Sequence, residues 1–176
     1  LAQVPTLDPA MIADVVVGCA MPEAEQGINV ARMGALLAGL PVSVPGVTVN
    51  RLCASGLQAI ADAANRIRLG EADVMLAAGV ESMTVMSNMM GNKVMMNPAV
   101  FSQAEHIAIA YGMGLTAEKV ASQWQISRQA QDDFAVESHR RATAAIAAGH
   151  FNAEISPYAV VESLPDLVAH QQLQTH

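Results

Sequence analysis

The sequence is poor in aromatic and charged residues: Phe, Trp and Tyr make up 3% of its 176 residues, and Asp, Glu, Lys and Arg make up 14%. Its nine Lys and Arg residues are scattered and the net charge is −7, which excludes the basic stripe of a nucleic-acid-binding domain. Two cysteines, Cys19 and Cys53, are too few for a disulfide framework. No run approaches the roughly 20 apolar residues of a membrane span. Hydrophobic residues make up 52% of the chain and few of them are aromatic, so we expect an aliphatic core. The low cysteine count favours a reducing, soluble compartment.

Short β-branched and apolar runs in the first half of the chain predict buried strands. These runs cover residues 14–19, 44–50 and 73–80, and turn-forming residues bound them. Helical patterns lie between them. Because strand and helix alternate in this way, we expect an α/β fold with a mainly parallel sheet.

Two helices are predicted between these strands. Asn29 can cap the first, which ends near Gly39. The second runs from Ala54 to Leu69 and Gly70 ends it. Its large and small apolar residues recur at helical spacing on one face, namely Leu57, Ile60, Ala61, Ala64 and Ile67.

The second half predicts two further helices and one strand. Thr116 is a candidate N-cap for a helix that reaches Trp124, and Ser127 caps another that ends at Gly149. Residues 155–161 are a candidate strand. These elements suggest three parts: an N-terminal core at 1–82, a mostly helical loop lobe at 83–152, and a return towards the core at 153–176. The chain begins with Leu1 and ends in a polar run, so both ends look cut.

Residues 82–103 show no clear period, which is typical of a functional loop or of a separate lobe. They are rich in methionine. The methionines are Met83, Met86, Met89, Met90, Met95 and Met96. Their side chains either line a fatty-acyl tunnel or pack against a neighbouring subunit, and we favour the packing role.

Cys53 lies where a predicted strand gives way to a predicted helix. A thiol at a helix N-terminus is near the positive end of the helix dipole and near free backbone N–H groups, which favour the thiolate. The small residues Ala54, Ser55 and Gly56 leave room for an acyl group. The same N–H groups can stabilise an oxyanion. The alternative is that Cys53 is a small buried hydrophobic residue.

The residues around Cys53 decide between these readings. Asn50 stands three residues before the cysteine and Ser55-Gly56 two and three residues after it, a pattern that closely resembles the active-site segment of thiolases. Further blocks resemble other thiolase segments in the expected order, at residues 25–32, 39–41, 78–83, 111–118 and 127–139. The sequence is therefore identified as similar to the thiolase family.

The resemblance implies a fold, a reaction and site residues. The fold is a layered α/β/α half with an inserted, mostly helical loop lobe, and the C-terminal half is absent. Cys53 is the acyl-thioester nucleophile, with a backbone N–H in an oxyanion hole, and Met113 lines the acyl pocket. Coenzyme A is a substrate, no cofactor is bound tightly, and a homodimer or homotetramer forms through the strand before Cys53.

Three segments that serve the nucleophile in thiolases are missing from this sequence. They are Gly-His-Pro, Cys-x-Gly-Gly and Asn-Glu-x-x-Ala. Gly149-His150 is followed by Phe151, so His150 is expected to be a surface residue at a helix end. Cys19 is followed by Ala-Met-Pro and is expected to be core. We therefore expect this segment alone to be inactive.

The favoured function is that of a degradative 3-ketoacyl-CoA thiolase of fatty-acid β-oxidation. The alternatives are a biosynthetic acetoacetyl-CoA thiolase and a truncated, inactive CoA-binding or scaffolding protein. The expected compartment is the bacterial cytoplasm, or the mitochondrial or peroxisomal matrix in a eukaryote. Arg140 and Arg141 either contact CoA phosphates or form a solvated helix face. No metal is expected, because the spacing of the histidines does not match a metal site: His106, His139, His170 and His176.

Overall fold

A computed structural model describes residues 3–84 and 96–159 of the chain. The chain divides into two compact units, Leu1–Asn97 and Pro98–His176. The expected division at residues 82 and 152 stays a prediction. No helix of the described residues is long and apolar enough to cross a membrane.

In the described part of the first unit, strands alternate with α-helices in the order β1 (Ile12–Gly18), α1 (Val30–Leu37), β2 (Gly46–Val49), α2 (Ser55–Arg68) and β3 (Val74–Gly79). Short 3₁₀ turns lie at Pro9–Met11 and Ala24–Gln26. All strand pairs are parallel and the order is β2-β1-β3, so β1 is the central strand. The predicted α/β class and parallel sheet are confirmed.

The central strand is buried on both faces. Val15 and Val17 belong to the main core cluster, where α1 covers the sheet, and Val16 alternates to the opposite face. The chain leaves β1 in one direction to form β2 and then crosses back past β1 to form β3. Because such parallel crossovers are right-handed, the two connecting helices lie on opposite faces of the sheet. The layered α/β/α arrangement is thus confirmed.

Helix α2 packs on the sheet through its small residues. Ser55, Ala59 and Ala63 are buried, and Gly18 on the central strand faces the start of this helix. The predicted apolar face turns away from the sheet: Leu57 is 71% exposed and Ile60 57% exposed. Close approach of helix and strand explains this, because only small side chains fit between them.

Local capping signals set both ends of α1. The Asn29 side-chain oxygen accepts a hydrogen bond from the Arg32 N–H at 3.1 Å. Gly39 follows the helix with φ +79°, the left-handed conformation that glycine adopts at little cost. Both predicted ends are confirmed.

The second unit contains α3 (Met113–Gln123) and α4 (Arg128–Ala147). Ser127 caps α4 by accepting from the Ala130 N–H at 3.2 Å, as predicted. The prediction that Thr116 caps α3 is wrong, because α3 begins one turn earlier. The Thr116 hydroxyl instead donates to the Gly112 carbonyl at 3.3 Å, so its hydrogen bond is made inside the helix.

The segments flanking these two helices differ from the sequence prediction. Pro98–Phe101 forms a 3₁₀ helix within the stretch for which no period was found, and Ala104–Ala110 forms another just after that stretch. Residues 155–159 are irregular, so the predicted strand is not formed there, and residues 160 and 161 lie outside the described part. Met86, Met89, Met90 and Met95 lie outside it too.

Candidate active site

Cys53 lies in a tight turn between β2 and α2, and its side chain is exposed. Two backbone hydrogen bonds close the turn, from the Ala54 N–H to the Arg51 carbonyl at 3.1 Å and from the Ser55 N–H to the Leu52 carbonyl at 3.0 Å. Leu52, directly before the cysteine, has φ +48°. A left-handed conformation at a leucine costs on the order of 1 kcal/mol and persists only where its surroundings enforce it.

Two polar side chains supply that enforcement. The Asn50 side-chain oxygen accepts from the Leu52 N–H at 2.9 Å, and its amide nitrogen donates to the Ala20 carbonyl at 2.9 Å. The Ser55 hydroxyl accepts from the Arg51 N–H at 2.9 Å and donates to the Leu52 carbonyl at 2.5 Å. Ser55 is buried, so the turn is anchored to the interior on one side.

Glycine at position 18 lets the start of α2 approach the sheet. A Cβ atom built on Gly18 would lie 2.3 Å from the Ser55 carbonyl carbon and 2.5 Å from the Gly56 nitrogen. Gly18 is the last residue of the central strand. Cys53 is therefore held at the carboxyl edge of a parallel sheet, the edge where α/β folds bind ligands.

The electrostatics of this position favour an anion. The first N–H groups of an α-helix lack intrahelical acceptors, and the helix dipole places partial positive charge at the same end. Cys53 lies two residues before the first residue of α2. The turn can thus present the Cys53 thiol to solvent and offer N–H donors to an oxyanion. The predicted backbone donor in an oxyanion hole stays a prediction.

Cys19 has the opposite environment. It is 1% exposed, and its thiol lies 3.7 Å from the Oε1 atom of Glu81. Burial, and after it the neighbouring Glu81 carboxylate, raises the pKa of the Cys19 thiol. A protonated, buried thiol is a poor nucleophile, which agrees with the interpretation of Cys19 as a core residue.

Met113 opens α3 in the second unit and is exposed. It lines a shallow apolar groove between α3 and the start of α4, together with Val120, Ala121 and Ile126. Its predicted role beside the acyl group stays a prediction.

Arg140 and Arg141 both pair with Glu137 on the exposed face of α4, at 2.6 Å and 2.7 Å. Hydrogen bonds from Arg140 first and Arg141 second lower the pKa of the Glu137 carboxyl. This geometry is that of a solvated helix face. Among the described residues, no three His, Cys, Asp or Glu side chains are grouped closely enough to hold a metal ion.

Two polar residues at the carboxyl edge were not predicted from the sequence to belong to the site. Gln26 is buried at 5% exposure and its amide nitrogen donates to the Glu81 carboxylate at 2.7 Å. Glu81 comes two residues after the last residue of β3. Its position just after an apolar strand was the available signal, because side chains there meet at the ligand-binding edge.

The chain is similar to known proteins over most of its length. A family model described as Thiolase, N-terminal domain, matches residues 1–173. A 3-ketoacyl-CoA thiolase of Bacillus subtilis (strain 168) is 50% identical over 149 residues, which is 85% of this chain and 37% of that relative. The relatives from Serratia proteamaculans and Pseudoalteromonas translucida bear the same name. They are 49% and 51% identical, over 89% and 86% of this chain.

The chain spans 37–40% of the length of these curated relatives. The match of the family model to nearly the whole chain agrees with the Cys53 turn and the parallel sheet described above. On these grounds the chain belongs to the thiolase family and comprises its N-terminal domain.

Proposed function

We propose that the full-length protein carrying this chain cleaves 3-ketoacyl-CoA thiolytically, with Cys53 as the residue that carries the acyl group. The single observation that carries the proposal is the Cys53 turn. It exposes one thiol at a helix N-terminus and holds it with two side chains, Asn50 and Ser55. The names of the relatives support the substrate class, since all three are 3-ketoacyl-CoA thiolases.

The reaction requires two exchanges at Cys53. In the first, the thiolate sulfur bonds to the keto carbon of the substrate, and the bond between that carbon and the α carbon breaks. The α carbon takes a proton and leaves as acetyl-CoA. In the second, the thiol of a new CoA molecule attacks the acyl group, and Cys53 leaves as thiolate. Covalent catalysis of this kind replaces one difficult step by two easier ones.

Each step places negative charge where the turn can stabilise it. The attacked carbonyl oxygen becomes an oxyanion in both exchanges, and donors at the start of α2 are fixed before the reaction begins. A prearranged donor of this kind contributes roughly 2.7–4 kcal/mol of transition-state stabilisation in other acyl-transfer enzymes. The Cys53 thiol must lose a proton before it attacks, the leaving acetyl-CoA must gain one, and the thiol of the second CoA must lose one. The groups that move these protons lie outside the matched motifs of this chain.

We further propose that CoA is a substrate without a tightly bound cofactor, and that the protein is a homo-oligomer paired through β2. The position of β2 supports this, because it is an edge strand of the described sheet and Val47 on it is 41% exposed. The relatives are bacterial, which favours the bacterial cytoplasm, and their name, 3-ketoacyl-CoA thiolase, supports a role in fatty-acid β-oxidation.

Trapping of the acyl-enzyme tests the nucleophile. The full-length protein is mixed with acetyl-CoA without a second substrate, quenched in acid, and mapped by peptide mass spectrometry. We expect one acetyl group on the peptide containing Cys53, because the thiolate attacks the thioester carbonyl and displaces CoA. The matched control is Cys19→Ser, which leaves the site cysteine in place and should acetylate normally. Acetylation of Cys53→Ser to the same extent would sink the assignment.

Rates on substrates of different length separate the degradative from the biosynthetic role. A degradative enzyme should cleave long-chain 3-ketoacyl-CoA at least as fast as acetoacetyl-CoA. A marked preference for the four-carbon substrate would favour a biosynthetic acetoacetyl-CoA thiolase. If no 3-ketoacyl-CoA is cleaved while CoA still binds, the inactive CoA-binding alternative is supported instead.

A further inference from the structure

Building on the proposed function, we propose that Glu81 and Gln26 are positioning residues for Cys53, and that they act through Ala20 and Asn50. None of these four residues needs to touch the substrate for this role, and Ala20 takes part through its backbone N–H and carbonyl. They form a continuous hydrogen-bonded path from the loops after β1 and β3 to the residue before the nucleophile.

The path begins at the Glu81 carboxylate. Its Oε2 atom accepts from the Ala20 N–H at 2.7 Å, and its Oε1 atom accepts from the Gln26 amide at 2.7 Å. The thiol of Cys19 lies 3.7 Å from the same Oε1 atom. A carboxylate with a donor on each oxygen has one favoured orientation, and charge-assisted hydrogen bonds are about twice as strong as neutral ones.

Gln26 holds the Glu81 carboxylate in place. Its amide nitrogen also donates to the Met21 carbonyl at 2.8 Å, and its side-chain oxygen accepts from the Ser82 N–H at 2.8 Å. The two ends of one buried amide therefore tie the loop after β1 to the loop after β3. A buried amide is costly unless both ends are bonded, and here both are.

Ala20 connects Glu81 to the Cys53 turn. Its N–H is held by Glu81, and its carbonyl accepts from the Asn50 amide at 2.9 Å. The other end of the Asn50 side chain accepts from the Leu52 N–H at 2.9 Å. Leu52 has φ +48° and directly precedes Cys53. The path thus ends on the strained residue that sets the direction of the thiol.

The alternative is that these bonds only fasten two loops. If the bonds only fastened the loops, the path would end at Ala20. Breaking the bonds would then lower the stability of the protein without a separate effect on the rate. The continuation through both ends of the Asn50 side chain to Leu52 favours the positioning role, because misplacement of a reacting group by about 1 Å can cost roughly 100-fold in rate.

The test uses the full-length protein and the variants Glu81→Gln, Asn50→Ala and the double variant. Glu81→Gln replaces one acceptor oxygen by an NH₂ group, which then faces the N–H of either Ala20 or Gln26. Glu71→Gln is the matched control, since Glu71 is an exposed carboxylate at the far end of α2. Asn50→Ala breaks the path at an exposed residue, so it tests the same path if Glu81→Gln folds poorly.

Four quantities are measured: the single-turnover rate of Cys53 acetylation by acetyl-CoA, the KM for acetyl-CoA, the rate of Cys53 alkylation by iodoacetamide, and the melting temperature. We expect each single variant to acetylate about 10- to 100-fold more slowly, with KM for acetyl-CoA changed less than about twofold. Alkylation should change little, because a small reagent needs no aligned oxyanion donors. The double variant should be no slower than the slower single variant, since the two residues act in series.

Several outcomes would overturn the inference. They are acetylation at the wild-type rate in both single variants, multiplied losses in the double variant, or a fall in acetylation and alkylation that merely follows a lower melting temperature. Failure of the proposed function looks different: the wild-type protein itself is then not acetylated on Cys53, and the inference fails with it.

Discussion

Two cysteines lie at the same edge of the sheet and have opposite environments. Cys19 directly follows β1, its backbone N–H continues the ladder by donating to the Val49 carbonyl, and its side chain is buried. Cys53 follows β2 after a sharp turn and is exposed. The difference shows that a position at the carboxyl edge does not by itself expose a cysteine. The turn exposes Cys53, because it lifts the thiol out of the sheet and places it before a helix.

The environments of the two cysteines have one participant in common. Glu81 lies beside the Cys19 thiol and also holds Ala20, which bonds to Asn50 in the turn of Cys53. Next to Cys19 the carboxylate opposes ionisation. At Cys53 it acts, by our proposal, only through intervening residues, and its charge is not directed at that thiol. The following predictions test this contrast in order of decreasing effect.

Serine substitution at the two cysteines should give the largest contrast. In Cys53→Ser we expect the thiolytic rate of the full-length protein to fall at least about a thousand-fold, because removing a covalent nucleophile has losses of this size or larger in other enzymes. Cys19→Ser keeps a hydrogen-bond donor near Glu81 and should change the rate less than about threefold. Steady-state rates on one 3-ketoacyl-CoA provide the measurement. Comparable losses in both variants would contradict the comparison.

Gly18→Ala should have the largest effect on stability. The new Cβ would meet the Ser55 backbone at 2.3 Å, so the start of α2 must move, at a cost of roughly 1–3 kcal/mol. Gly34→Ala is the matched control, since nothing lies within 4 Å of its Cβ position and alanine favours a helix interior by up to about 1 kcal/mol. Melting temperatures should fall for the first and hold or rise for the second. Equal temperatures would show that α2 adapts freely.

Local signals in the sequence predicted elements of both units. The β-branched run at 14–19 predicted β1, and Asn29 and Ser127 predicted the first turns of α1 and α4. These features depend on residues close together in the chain, because a cap bonds to an N–H three residues away and glycine ends a helix within a residue or two.

Packing between residues far apart in the chain could not be predicted from local sequence signals. The apolar stripe containing Leu57 and Ile60 is evident in the sequence, yet α2 meets the sheet through Ala59 and Ala63 because Gly18 permits a closer approach. The pairing of Gln26 with Glu81 joins residues 55 positions apart and has no local pattern. The motif singled out Cys53 as the candidate nucleophile, and that assignment stays a prediction. What holds it in place depends on contacts that only the fold creates.

Ser55→Ala should loosen the turn from its buried side. The change removes the hydroxyl that bonds to Arg51 and Leu52, and losing such bonds at a buried site costs about 1–2 kcal/mol. We expect a lower melting temperature together with slower acetylation of Cys53. Ser122→Ala, at an exposed position on α3, should stay within about 0.5 kcal/mol of the wild type. If Cys53 is acetylated at the wild-type rate in Ser55→Ala, the turn is held mainly by Asn50.

Alkaline pH should reveal Cys19 by a small effect on stability. Its pKa is raised in the folded protein, so the folded state keeps a proton that the unfolded state loses as the pH rises past the ordinary range of a thiol. The contribution of Cys19 is therefore fully present below that range and is lost as the pH rises through the folded pKa. The melting temperature of the wild type should then decline more steeply on the alkaline side than that of Cys19→Ser, measured by calorimetry in matched buffers. Parallel declines in the two proteins would mean that the Cys19 thiol ionises as easily in the fold as outside it, and the contrast with Cys53 would then depend on exposure alone.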